Sequence, residues 1–505
     1  MQVAPLAAPD LFSVRGGPSD LPPDLWQGSS GTLAKLVIPE LASHSLSPAA
    51  AALARHVLEV GASGPQGVGN DPDLAGARAE ALLQLGDIAA ARAIAEGAQN
   101  LPQLTAMSQV AAQAELIGGQ ADRACAIGEG LVLGREGAFW LRLRAFCQVR
   151  AGQAAPAQLT LELAEQQEHH PDYERLMGAL LGGGAAGVQP ALDDALDFAI
   201  SRRLNLDWAA ALAGAPASIA VAVARDGGQP PAVRFAAAAR AARLGIAVPE
   251  AYSALAPAPT TLPPPDAPGP MGEAALVVVA GATNDLTLKE SAVIALLRRS
   301  RDGAEFQALA RLVAPAIAQL MAAKPVLRQP FMFAMAAAAV GDVTSARAAR
   351  GEVGQGGSGP APADVAVLDA LIAVTSSPAD PAAAEPLGRL TKGAEGAVRA
   401  RTAGALALLG AFVPLEPQAR FDVADADIGA AQVPPGRRLA MEQAAEQGRI
   451  GDTVLYVLGS CVEVGPRGPS AGERALMVRA LRQAHLDADA RAFAIEGLVA
   501  LQARP

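Results

Sequence analysis

Residues 82–95 read LLQLGDIAAARAIA. Leucines 82, 83 and 85 run up to Gly86-Asp87, and beyond the pair Ile88, Ala91, Ala95 and Ala98 fall on one helix face. The stretch reads as helix, turn, helix, with the glycine supplying the left-handed residue that ends the first helix. The pattern returns at 115–127 (ELIGGQADRACAI) and at 148–160 (QVRAGQAAPAQLT), each turn 33 residues after the last. Distant versions lie at 339–349 (AVGDVTSARAA) and 482–494 (RQAHLDADARAFA). Five positions beyond the first three turns stand Ala91, Ala124 and Ala157, small enough to let the second helix approach the first closely.

The whole chain is built to suit such packing. Of its 505 residues 51% are hydrophobic, 3% aromatic and 18% charged, and most of the apolar content is Ala, Leu and Val. Lysine occurs only at Lys35, Lys289, Lys324 and Lys392, so arginine supplies the other 36 of 40 basic residues. That bias follows GC-rich codons and points to a high-GC bacterial genome. Net charge is −10 and no block of five or six like charges occurs. Arg202-Arg203, Arg298-Arg299-Ser300-Arg301 and Arg437-Arg438 are the densest basic spots, and each reads as a helix end or solvated face. With no basic stripe or nucleic-acid module, no nucleic-acid partner is expected. No uncharged apolar run reaches the roughly 18–20 residues of a membrane span, so no membrane insertion is expected either. The opening MQVAPLAAPDLF lacks the basic and apolar regions of a secretory signal. QVAPLAAP reads as the loose start of a mature exported chain with Met1 added, which favours the periplasm over the cytoplasm.

A 33-residue period of apolar helix, Gly-polar turn and alanine-spaced helix resembles the tetratricopeptide (TPR) repeat family. The consensus aromatic positions are mostly missing, and the turns at 152, 341 and 485 are not separated by multiples of 33. The expected fold is all-α, an α-solenoid of TPR-like helical hairpins with a Pro-rich interruption. Composition sets the segments: an extended Pro/Gly-rich arm at 1–30, repeats at 31–183, a middle helical segment at 188–254, and a Pro-rich linker at 255–272. Further repeats follow at 273–352, a Gly-rich link at 353–363 and C-terminal repeats at 364–505. Ala275–Val279 (ALVVV) is the one strand candidate, and its neighbours equally allow a buried helix.

Motifs that carry chemistry are weak. Gly354-Gln355-Gly356-Gly357-Ser358-Gly359 matches G-x-G-x-x-G literally, but a helix precedes it and Pro360-Ala361-Pro362 follows, so it reads as a linker. The five histidines are His44, His56, His169, His170 and His485. The run from Glu165 to Asp172 (EQQEHHPD) is the one cluster rich in metal-capable types, and it reads as a solvated helix C-terminus closed by Pro171. Asp422, Asp425 and Asp427 suggest a calcium loop, but Gly436 stands where its glutamate belongs. Asp193 and Asp194 are adjacent and would point apart on a helix. No catalytic, cofactor or metal residue is assigned, and no cofactor is expected.

Cys125 and Cys147 lie on consecutive helices, each eleven residues from the centre of the loop Gly134-Arg135-Glu136-Gly137. An antiparallel hairpin sets them at one height, which admits a disulfide in an exported protein; the alternative is two buried free thiols. Cys461 has no evident partner. The TPR resemblance implies that first helices line a concave face on which arginine or lysine holds a partner's carboxylate. Trp140 and Arg144 share a face at i, i+4 and are the candidate protein-binding residues, although Trp140 equally suits a core position. Arg142 and Arg144 cannot both face one site. The functional expectation is a non-catalytic scaffold or adaptor with a protein partner on the concave face, in bacterial envelope or flagellar-motor assembly. Alternatives are an α/α-helical enzyme acting on peptidoglycan or polysaccharide, with its site around Glu168–Asp172, and a mainly self-associating protein that pairs as a homodimer.

Overall fold

The computed structural model describes residues 10–255, 260–264, 267, 269–323, 326–354, 359–424 and 433–502. Asp425, Asp427 and residues 355–358 of the Gly-rich link therefore lie outside the described residues, as do residues 1–9 and parts of the Pro-rich stretch. Every regular element among the described residues is helical, with 26 α-helices and one isolated bridge between Ser30 and Gln66. The chain forms two units: residues 1–45, 53–241 and 449–455 make the first, and residues 46–52, 242–448 and 456–505 the second. The division differs from the composition boundaries, because the Pro-rich stretch 255–272 falls inside the second unit.

In the first unit the quoted turn has a definite hydrogen-bond pattern. Gly86 takes φ +89°, its N–H donates to Leu83 O, and the Asp87 N–H donates to Leu82 O. These two bonds satisfy carbonyls that the end of the helix would otherwise leave open. The Asp87 carboxylate then accepts from the Ala90 N–H at 3.0 Å and opens the next helix, Ile88–Gly97. Gly119 and Gly152 repeat the pattern, with bonds to Leu116 and Glu115, and to Val149 and Gln148. Asn205 does the same at φ 55° with bonds reaching Arg202 and Ser201, a turn that carries no glycine to announce it. Ala91, Ala124 and Ala157 are all fully buried, which fits the close approach their size allows.

Residues 10–30 are not an extended arm. Phe12, Leu25 and Trp26 are buried, and the Phe12 and Trp26 rings meet edge to face at 6.3 Å. Arg78, fully buried in Pro72–Gln84, donates to the carbonyls of Phe12, Val14, Leu58 and Val60 at 2.7–3.1 Å. The segment is thereby tied to the unit by backbone acceptors as well as by three aromatic or leucine side chains. Trp26 also needs Gly451 opposite it, since a Cβ there would sit 2.6 Å from the indole.

The second unit carries the other two copies. Gly341 (φ +91°) precedes Asp342, whose side chain caps Val343–Glu352 through the Ser345 N–H. His485 occupies the equivalent position at φ +61°, with its N–H on Arg482 O and the Leu486 N–H on Leu481 O. Ala346 and Ala490, five residues beyond each turn, are fully buried. A non-glycine residue in the left-handed region is strained by roughly 1 kcal/mol. His485→Gly is therefore expected to raise unfolding free energy by about 0.5–1 kcal/mol, read by urea titration; a loss of stability would show that the imidazole holds the turn.

The ALVVV stretch lies within the helix Gly269–Ala282, not in a strand. Gly303–Ala323 is 21 residues long and apolar enough, by length and composition, to cross a membrane. That helix contains Pro315 and begins with the buried Glu305, which accepts from Arg243 and Arg301 at 2.8 and 2.9 Å. Cys461 is a buried free thiol, and burial pushes it up to about 12, which leaves it unreactive.

Candidate functional site

Two places in the first unit gather polar groups, one of them around a cavity. The first lies along Ala121–Gly130, Ala138–Arg150 and the start of Ala154–Gln167. Here an open cavity of about 260 Å³ is lined by Cys125, Arg135, Trp140, Leu143, Arg144 and Cys147, among others. Trp140 and Arg144, paired by their spacing, thus stand in one wall. Trp140 is only 4% exposed, so it is a core residue whose ring edge also faces the cavity. Phe139 meets it edge to face at 5.1 Å. Arg144 donates to the Arg135 carbonyl at 3.1 Å; Glu129 lines the same cavity, and neither guanidinium pairs with a carboxylate among the described residues. Arg142 turns away, donating to Asp194 at 3.2 Å and lying 5.6 Å over the Tyr173 ring.

Cys125 and Cys147 are joined by a disulfide in the same wall, with Cα atoms 5.8 Å apart. The bond closes a sequence separation of 22 residues. By loop-closure entropy that is worth about 3 kcal/mol. Cys125→Ala/Cys147→Ala is expected to lower unfolding free energy by that order under non-reducing conditions. An unchanged urea midpoint would show that the hairpin is held by packing alone.

The second place is assembled by two short helices. His170 caps Pro171–Gly178: its Nδ1 accepts from the Tyr173 N–H at 3.3 Å, and its own N–H donates to Glu174 at 3.0 Å. Pro171 therefore opens a helix, where its missing N–H costs nothing, and does not merely close the preceding one. Asp194 caps Ala195–Arg203, accepting from the Leu196 and Asp197 N–H groups at 2.8 Å each. The Asp193-Asp194 pair thus precedes a helix, and the argument that adjacent acids diverge on a helix does not apply to it. One turn into that helix, Asp197 points back at the same spot. His170 Nε2 lies 3.6 Å from Asp194 Oδ2, and His170 Nδ1 lies 3.7 Å from Asp197 Oδ2.

Asp197 has no exposed side-chain surface, and neither carboxylate oxygen has a hydrogen-bond partner. Burial, reinforced by the nearby Asp194 charge, pushes its carboxyl up to about 8. Burial also raises Glu80, whose carboxylate accepts from Gln84 at 2.7 Å and feels the Asp194 charge. Tyr173 donates its hydroxyl to Arg142 O at 2.7 Å, and burial raises its pKa as well. His169 points elsewhere and pairs with Glu174 at 2.7 Å.

Of the sequence candidates, Trp140, Arg144, Cys125 and Cys147 come together at the cavity. The run Glu165 to Asp172 contributes only His170 to the polar cluster. Its partners Asp194 and Asp197 went unassigned, and the signal that finds them is an acid three residues after an N-cap acid. Comparison with models of protein families, with curated proteins and with solved structures finds no match to this chain.

Proposed function

We propose that the chain is a TPR-like α-solenoid scaffold, non-catalytic, that holds another protein against its Ala121–Gln167 helices. The observation that carries this reading is the open cavity beside Trp140, where Arg135 and Arg144 present guanidinium groups that pair with no carboxylate among the described residues, Glu129 lining the cavity with them. An apolar side chain enters beside the indole edge, and an acidic or C-terminal carboxylate takes the arginine fork. Exposed Val132, Leu133, Leu159 and Leu163 on the same stretch give such a partner further apolar surface. The disulfide supports an oxidising compartment, and with it the periplasm and envelope or motor assembly as the setting.

In-cell cross-linking of the native protein followed by mass spectrometry tests the reading. A protein partner should attach within 121–167, and Arg144→Glu should cut its capture at least tenfold by replacing an attractive charge with a repulsive one. Capture unaffected by Arg144→Glu, or no partner at all, sinks it. Light scattering of the purified chain separates this reading from self-association. A second reading, an enzyme acting on an envelope polymer, draws on the convergence of His170, Asp194 and Asp197. It requires peptidoglycan or polysaccharide turnover that Asp197→Asn abolishes.

A further inference from the structure

We propose that His170, Asp194 and Asp197 form a binding site for one divalent transition-metal ion, with zinc as the representative. The inference is independent of the scaffold reading. One ring nitrogen of His170 and one oxygen from each carboxylate all lie within 4.8 Å of one another. In a tetrahedral zinc site with bonds of 2.0–2.1 Å, ligand atoms stand about 3.3 Å apart. One ion takes only one ring nitrogen; Nδ1 accepts the Tyr173 N–H, which leaves Nε2, 3.6 Å from Asp194 Oδ2. The ligand atoms, within 4.8 Å of one another, close by up to about 1.5 Å at the widest pair on binding.

The observation that points to a cation is Asp197. A carboxylate with no exposed surface ordinarily collects two or three N–H donors, yet both of its oxygens are without a hydrogen bond. An imidazole nitrogen of His170 stands 3.7 Å from one of them, beyond hydrogen-bond reach. The surrounding charge favours a cation too. Asp172 and Asp193 act on Asp197, and Glu80 feels the Asp194 charge, while the Arg142 guanidinium opposes them. Arg142 occupies a single position on Asp194 Oδ2, and Oδ1 is taken by the two capping N–H groups, so Oδ2 retains a lone pair.

A mixed set of one imidazole and two carboxylates suits zinc, or manganese and cobalt, better than calcium or magnesium, which take oxygen ligands. Water completes the coordination from the solvent side, where His170 and Asp194 remain 27% and 32% exposed and leave an entry path. Bound there, the ion ties the start of Pro171–Gly178 to the start of Ala195–Arg203.

The test is titration of the untagged, chelator-treated full chain with Zn²⁺ by calorimetry, with the visible spectrum of bound Co²⁺ as a second readout. The expected result is one ion per chain and an intense Co²⁺ band of tetrahedral type. Affinity should fall at least about 100-fold in Asp197→Asn, which keeps the shape and removes the charge. His170→Gln, at a half-exposed position, should give the same loss and serves if the buried substitution unfolds the protein. No uptake by the wild-type chain, or uptake that survives both substitutions, overturns the proposal.

Discussion

Arg78→Met is expected to lower the unfolding free energy of the first unit by about 3–5 kcal/mol, the largest effect of any single substitution there. The side chain has no exposed surface, and its three nitrogens donate to Leu58, Phe12, Val14 and Val60 carbonyls. Methionine fills much of the volume and offers no donor. Four acceptors, three in buried and one in a part-buried bond, lose their partner, and residues 10–30 lose the bonds that fasten them. Although burial pulls Arg78 down to about 9, it stays charged at neutral pH and keeps its five donors. Lysine should rescue little, because its point-like ammonium cannot span acceptors set around a planar fork. All three tryptophans, Trp26, Trp140 and Trp208, belong to the first unit, so their fluorescence during urea unfolding follows it selectively. A loss below about 1 kcal/mol would mean that the carbonyls find water instead.

The comparable substitution in the second unit is Glu496→Ala. Glu496 and Arg474 have 7% and 2% of their side-chain surface exposed and meet at 2.7 Å. The other Glu496 oxygen accepts the Ala49 N–H at 2.7 Å. Gly468 and Gly497 accommodate the guanidinium, since a Cβ at either would sit within 2.6 Å of Arg474 atoms. Alanine at 496 leaves a buried cation without its counter-charge and a buried N–H without an acceptor, a loss of about 3–5 kcal/mol. Arg474→Met/Glu496→Met should recover most of it, because a buried ion pair contributes little beyond an apolar pair of similar volume. Far-UV circular dichroism sees the helices of both units, so the part of its transition that tryptophan fluorescence does not share reports this one. A double variant no more stable than Glu496→Ala would mean that the Ala49 N–H, not the orphaned charge, dominates.

The hairpins were legible in the sequence because what defines them is local. A left-handed residue, a polar cap and an alanine five positions on all fall within one short window, and His485 was found by the alanine although it lacks the glycine. Asn205 makes the same turn without a glycine, and the alanine five positions on, Ala210, is exposed and leads only into the short turn Ala211–Ala213, so it left no trace. Residues 10–30 misled through composition: their prolines and glycines outnumber Phe12, Leu25 and Trp26, whose burial depends on elements far along the chain. Arg78 is indistinguishable in sequence from a surface arginine, since only the folded unit brings four carbonyls around it. The polar cluster was missed for a related reason. His170 and Asp197 are 27 residues apart, and two caps on two short helices bring them together.

The covalent bond between Cys125 and Cys147 forms part of the wall that holds Trp140 and Arg144. The shape of that surface is therefore conditional on an electron pair. A preparation made with dithiothreitol and one made without it differ in whether that wall is cross-linked, so a binding measurement on it is to be run in both states. Newly made chain still in a reducing environment would likewise lack that cross-link.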